Sequence, residues 1–135
     1  MNRIFKRCLI TGIGGSGGSY LAEHILKKKC STKIFGFYRS TGFSTYLKKK
    51  HKSKISIKKV DLRNYKELKK KLKIVKPDVI FHLASNADVR KSFFEPIEFS
   101  ENNNMITINL LEALRQLNSK AVIIICSTSE VYGNV

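Results

Sequence analysis

The sequence predicts an α/β fold, a doubly wound parallel sheet, and three observations carry that prediction. Five short apolar runs recur along the chain, helical patterns separate most of them, and a glycine cluster directly follows the first run. Arg7 to Thr11 (RCLIT) is the first predicted strand, and it stops at the glycines. Ser19 to Lys29 then places Leu21, Ala22, Ile25 and Leu26 at helical spacing. Lys33 to Tyr38 (KIFGFY) reads as a second strand, and Ile55, Ile57 and Val60 alternate with period two as a third. A polar, Lys-rich connection joins these two. Asn64 and Glu67 have the spacing of a capping box, so Leu68, Leu72 and Val75 continue a helix that Pro77 ends. Val79 to Leu83 (VIFHL) is the fourth strand. From Glu98 to Leu117 the residues Met105, Ile108, Leu111 and Leu114 recur every three positions, with Leu110 and Leu117 widening the stripe, which predicts a long helix with that face buried. Ala121 to Cys126 (AVIIIC) is the fifth strand.

Composition narrows the function classes. A length of 135 residues, 42% hydrophobic and 27% charged, fits one globular domain over residues 1–135. The 26 Lys and Arg against 10 Asp and Glu leave a net charge of +16, a field that suits an anionic ligand. The lysine runs at 27–29, 48–50 and 69–71 lack interleaved aromatic residues and read as solvated faces, so a nucleic-acid partner is not expected. No run approaches the roughly 20 apolar residues of a membrane span. Arg3, Lys6 and Arg7 interrupt the N-terminus, so no signal peptide is expected either. Cys8, Cys30 and Cys126 are odd in number and far apart, with no His at zinc-ligand spacing. They read as reduced, packing thiols of a cytoplasmic protein with no metal site.

The segment Thr11-Gly12-Ile13-Gly14-Gly15-Ser16-Gly17-Gly18 lies between a strand and a helix, where a dinucleotide pyrophosphate binds. Gly12 permits a tight turn, Gly15 lets the backbone approach phosphate, and Gly18 allows the helix to pack closely on the strand. The helix N-terminus that follows supplies free N–H groups and positive dipole character, and Ser16 and Gly17 of the loop are expected to meet the cofactor as well. At the end of the second strand an acidic residue would hydrogen-bond a ribose 2′-hydroxyl. Tyr38-Arg39-Ser40 stands there instead. Arg39 can pair with a 2′-phosphate and Ser40 can donate to it, which favours NADP over NAD. Asp61-Leu62, after the third strand, fits either an adenine contact or the start of the next helix. His82 reads as a strand-end residue lining the cofactor crevice, not as a metal ligand or general base.

Three further segments extend the pattern: His82-Leu83-Ala84, Leu110-Leu111-Glu112-Ala113, and Ser127-Thr128-Ser129-Glu130-Val131-Tyr132-Gly133. Together with Thr11-Gly12-x-x-Gly15-x-x-Gly18 they resemble the extended short-chain dehydrogenase/reductase family of nucleotide-sugar epimerases and dehydratases. Within it the chain is most similar to the GDP-mannose 4,6-dehydratases, through Gly18-Ser19-Tyr20-Leu21-Ala22-Glu23 and through Ser92-Phe93 with Pro96. Asn86 stands where those dehydratases usually carry Gln. The resemblance implies a Rossmann-type sheet that stops after its fifth strand, the N-terminal part of a longer fold whose Tyr-x-x-x-Lys pair and substrate domain lie beyond Val135. It also implies that Leu83, Ala84 and Ser85 border the cofactor, and that the full-length form is a homo-oligomer joined partly through the long helix.

The implied substrate is a nucleotide sugar, GDP-mannose, and the implied chemistry centres on Thr128 and Glu130. A 4-epimerase needs no carboxylate after the fifth strand, whereas a dehydratase must remove the C5 proton and expel the C6 hydroxyl. Glu130 supplies that acid/base group, and Thr128 assists oxidation at C4. Ser129 between them is similar to the GDP-mannose group rather than the dTDP-glucose group. The alternatives are an epimerase or reductase of the same family and a catalytically inert dinucleotide-binding fragment.

Overall fold

The structure, a computed structural model, describes residues 5–28, 32–39, 54–127 and 133. Along the chain it forms β1 (Arg7–Thr11), α1 (Ser16–Lys27), β2 (Lys33–Tyr38) and β3 (Ile55–Lys59). Then follow α2 (Tyr65–Val75), β4 (Val79–His82), α3 (Val89–Phe94), α4 (Pro96–Gln116) and β5 (Val122–Ile125). All strand pairs are parallel, in the order β3-β2-β1-β4-β5. Cys8 of β1 lies opposite both Ile34 of β2 and Val79 of β4. The chain leaves β3 at one edge and returns beside β1 as β4, so the strand order reverses between β1 and β4. Open parallel sheets bind ligands outside the carboxyl ends of strands at such a reversal.

Alternation along β1 divides the core in two. Leu9 joins Phe37, Ile80, Leu68, Leu72, Ile106 and Leu110 under α2 and α4, while Cys8 and Ile10 join Ile13, Ala22, Ile34, Ile55 and Ile57 on the α1 side. The predicted limits of β1 and β2 match the structure, because apolar runs there meet glycine or charge at both ends. The capping signal before α2 is real: the Asn64 side chain accepts a hydrogen bond from the Glu67 N–H at 3.1 Å. At the other end Lys76 takes a left-handed φ of 45° before Pro77.

Four expectations need correction. Of the stripe expected on α4, Leu110 and Leu114 are buried but Met105, Ile108 and Leu111 are exposed, and Phe99, Asn102, Ile106, Asn109 and Ala113 complete the buried face. A strict three-residue repeat drifts by about 60° per step around a helix of 3.6 residues per turn, so it cannot keep one face inward. The stretch after β4 contains a short helix, α3, which no apolar periodicity announced; Asp88 caps it by accepting the Lys91 N–H at 3.2 Å. Cys126 is exposed, whereas Cys8 is buried and its thiol is pushed up to about 12, which keeps it protonated and inert. The helix α1 also starts at Ser16 rather than Ser19, because glycines that carry no periodicity form its first turn. Cys30, Ser40 and most of the Lys-rich connection lie outside the described residues, as do Thr128, Ser129, Glu130 and Tyr132. Among the described residues no helix is long and apolar enough to cross a membrane.

Candidate functional site

A cleft of about 450 Å³ opens at the carboxyl ends of β1, β2 and β4. Gly12, Gly15, Ser16, Gly17, Gly18, Arg39, Asp61, Leu62, Leu83, Ala84 and Ser85 all line it. The structure thus brings the predicted cofactor residues around one space. It adds Phe37, Tyr38, Asn86, Asn102 and Ile106 to the lining.

The loop's shape follows from its glycines. Gly12 has φ +70°, and a Cβ there would stand 2.8 Å from the backbone nitrogen of Ala84. The turn closes through the Gly15 N–H, which donates to the Gly12 carbonyl at 3.0 Å. A Cβ on Gly18 would lie 2.5 Å from that same carbonyl, so only glycine lets α1 approach the turn this closely. Gly36, which the sequence reading did not single out, does the same for the sheet: a Cβ there would meet the Ile13 side chain at 2.5 Å. Gly15, the N-cap of α1, offers no side chain, and the first turn carries no acidic residue. The amide-rich, positive end of the helix therefore faces the cleft without a competing carboxylate. This cradle fits a pyrophosphate.

Charge at the opposite end is carried by Asp61, Arg63 and Arg39, with the Arg39 charge also acting on Asp61. Asp61 binds Arg63, Nη2 to Oδ2 at 2.9 Å, and that guanidinium hydrogen bond holds the Asp61 carboxyl below its ordinary range. Arg39 donates instead to neutral amides, from Nη2 to Asn86 Oδ1 at 3.0 Å and from Nη1 to Asn102 Oδ1 at 3.4 Å. The turn carrying Asp61 and Leu62 is fixed from α4, where Asn109 Nδ2 donates to the carbonyls of Leu62 at 3.0 Å and Arg63 at 3.1 Å.

His82 does not line the cleft; it lies behind it, 3% exposed. Its tautomer follows from its partners. The Thr107 hydroxyl donates to the Asn103 carbonyl at 3.0 Å, so it accepts from His82 Nε2–H at 3.2 Å. Nδ1 is then the bare acceptor for the Thr11 hydroxyl at 2.7 Å, which in turn accepts the Ala84 N–H at 3.3 Å. Burial pushes the imidazole below its ordinary value of 6.5. As pH falls through 6.5 the unfolded chain takes up a proton at His82 that the folded chain does not, so folding stability falls on acidification. The urea midpoint is expected to decline between pH 7 and 5, and His82→Gln is expected to flatten that decline. An unchanged slope in the variant would contradict the neutral, buried assignment.

The polar residues on α4 are what the sequence reading missed. Asn102, Asn103, Thr107 and Asn109 are weak helix formers inside a 21-residue helix, and that local conflict was the available signal. Among the described residues no group of three or more His, Cys, Asp or Glu is placed to hold a metal ion.

Comparison with known proteins sets this geometry in a family. Residues 9–135 match the family model described as GDP-mannose 4,6 dehydratase. The chain belongs to that family. It is 38% identical over 131 residues to a UDP-N-acetyl-alpha-D-glucosaminuronate decarboxylase of Bacillus cytotoxicus, covering 95% of this chain and 38% of the relative. It is 36% identical over 140 residues to a GDP-mannose 4,6-dehydratase of Vibrio cholerae, covering 96% of this chain and 37% of the relative. The chain therefore spans less than two-fifths of the length of these relatives. Among solved structures, UDP-glucose 4-epimerase from Stenotrophomonas maltophila, with bound NAD, superposes with a TM-score of 0.83 at 19% identity. That match covers 96% of this chain and 39% of the epimerase. The Thermotoga maritima UDP-glucose 4-epimerase gives 0.80 at 24% identity, over 95% of this chain and 40% of its own. These two likenesses show the fold, which is Rossmann-type.

Proposed function

We propose that the cleft binds NADP and that this chain is the dinucleotide-binding part of a nucleotide-sugar 4,6-dehydratase acting on GDP-mannose. The observation that carries the cofactor reading is the pairing pattern at the cleft: an uncapped helix N-terminus at one end, and at the other an arginine whose hydrogen bonds, among the described residues, go to the neutral amides of Asn86 and Asn102. Gly12 to Gly18 would hold the pyrophosphate, Asp61 and Leu62 the adenine side, and Arg39 with Ser40 the 2′-phosphate. Leu83, Ala84 and Ser85 would border the nicotinamide, which when bound accepts a hydride from C4 of the sugar and returns it at C6.

The sugar chemistry rests on the family match and on Glu130 and Thr128. Thr128 would hydrogen-bond the C4 oxygen. The C5 proton, acidified by the neighbouring ketone, would pass to Glu130, and the C6 hydroxyl would leave as water. The product is a 4-keto-6-deoxy sugar with no net oxidation. One observation favours a second reading: the 38% identity to a UDP-sugar decarboxylase. Incubating a protein that carries this chain together with a Tyr-x-x-x-Lys segment and a substrate domain with GDP-mannose separates the two. Loss of water from the sugar nucleotide supports the dehydratase. Intact GDP-mannose, together with carbon dioxide released from a UDP-hexuronate, would transfer the assignment to the decarboxylase.

A further inference from the structure

We infer that Asn86, Asn102 and Asn103 form a neutral amide bracket that aims the Arg39 guanidinium, so that these asparagines help set the selectivity for a 2′-phosphorylated dinucleotide. This rests on the NADP reading of the cleft. The bracket starts at the backbone of Asn86. Its N–H donates to Asn103 Oδ1 at 2.7 Å, and its carbonyl accepts from Asn103 Nδ2 at 3.1 Å. Only one orientation of the Asn103 amide satisfies both. With that orientation fixed, Asn103 Oδ1 also receives Asn102 Nδ2 at 3.1 Å, which turns the Asn102 oxygen toward Arg39. The order of events is thus backbone to Asn103, Asn103 to Asn102, and Asn102 to Arg39. The same pinning of Asn86 brings its own side-chain oxygen to the other terminal nitrogen of Arg39.

The number and charge of these contacts matter. A guanidinium has five N–H groups, and the two amide oxygens engage two of them on different nitrogens. Among the described residues that leaves three for a phosphate, including Nε–H. An amide also leaves the positive charge intact, which a carboxylate in the same place would cancel; the nearby carboxylate, Asp61, accepts a hydrogen bond from Arg63 and feels Arg39 as a weaker coulombic attraction. Asn102 is 7% exposed and sits on the inner face of α4, so the bracket is anchored in the core although Arg39 itself is exposed. A long, exposed side chain is thereby ordered before its ligand arrives, and less freedom is lost on binding.

The test is titration calorimetry of the chain and its variants with NADP⁺ and NAD⁺. Asn86→Ala and Asn102→Leu each remove one acceptor, and each is expected to weaken NADP⁺ about 3- to 10-fold while NAD⁺ stays within about 2-fold. Unchanged NAD⁺ binding also shows that the variant cleft is folded. Combined with Arg39→Ala, neither asparagine change is expected to add anything further, because the amides act through the guanidinium. If Arg39→Ala abolishes the preference while both asparagine variants keep the parent ratio, the bracket is wrong and the cofactor reading stands. Parallel weakening of both cofactors would also overturn the bracket, reducing it to general support of the cleft. If Arg39→Ala leaves the ratio unchanged, the cofactor reading itself fails and the bracket with it.

Discussion

Gly12→Ala is expected to lower the unfolding free energy by about 3 kcal/mol, from two costs that add. The first is conformational, since φ +70° at Gly12 is the left-handed region, which costs an L-residue roughly 1–2 kcal/mol. The second is steric: the new methyl would sit 2.8 Å from Ala84 N, 2.9 Å from Ala84 Cα and 2.9 Å from the Leu83 carbonyl carbon. All three atoms are backbone at the end of β4, so no rotamer change relieves the overlap. The strand end itself must move away from β1. The internal control is Gly17→Ala, where a Cβ meets nothing within 4 Å and the backbone is helical. That change is expected to be neutral or to stabilise by up to about 1 kcal/mol, because alanine narrows the unfolded ensemble. Urea midpoints with unchanged slopes measure both. Equal midpoints for Gly12→Ala and the parent would mean that the turn at the cleft is not the one described.

Glu130→Gln is expected to reduce GDP-mannose dehydration by about 10²- to 10⁴-fold, the range over which a positioned general acid/base contributes. Glutamine keeps the size and one acceptor oxygen but can neither take the C5 proton nor deliver one to the departing hydroxyl. Dinucleotide binding should be unaffected, since Glu130 is assigned to the sugar and not to the cradle. Solvent exchange at C5, followed by deuterium uptake in recovered substrate and product, should disappear with the turnover. Retention of turnover within about 10-fold in the variant would remove Glu130 from the mechanism and favour an epimerase-type site, which needs no carboxylate there.

What could be read from sequence depended on where a residue's partners lie. β1 and β2 were legible because their apolar runs are bounded within a few positions, and α2 because Asn64, Glu67 and Pro77 are all local signals. The glycine loop was legible because its order, strand then turn then helix, is contiguous in the chain. The face of α4 was not, since the apolar letters at Met105, Ile108 and Leu111 compete with an inward stripe that includes two asparagines. Asn102 and Asn109 reach partners 63 and 47 residues away, Arg39 and Leu62, so no window on α4 contains the reason for them. Arg39 drew attention from its position at the end of β2, but what holds it was invisible for the same reason. His82 was placed on the right strand end yet on the wrong side of the cleft wall, because its partners Thr11 and Thr107 come from two distant elements.

The measurement that tests the central claim most directly is calorimetric titration of this chain with NADP⁺ and with NAD⁺, before and after Arg39→Ala. NADP⁺ is expected to bind more tightly, with about a 10- to 100-fold loss of NADP⁺ affinity in the variant as its charge-assisted bonds to phosphate are removed, and little change for NAD⁺. Binding of neither cofactor to the folded chain, or a preference for NADP⁺ that survives Arg39→Ala, would contradict it.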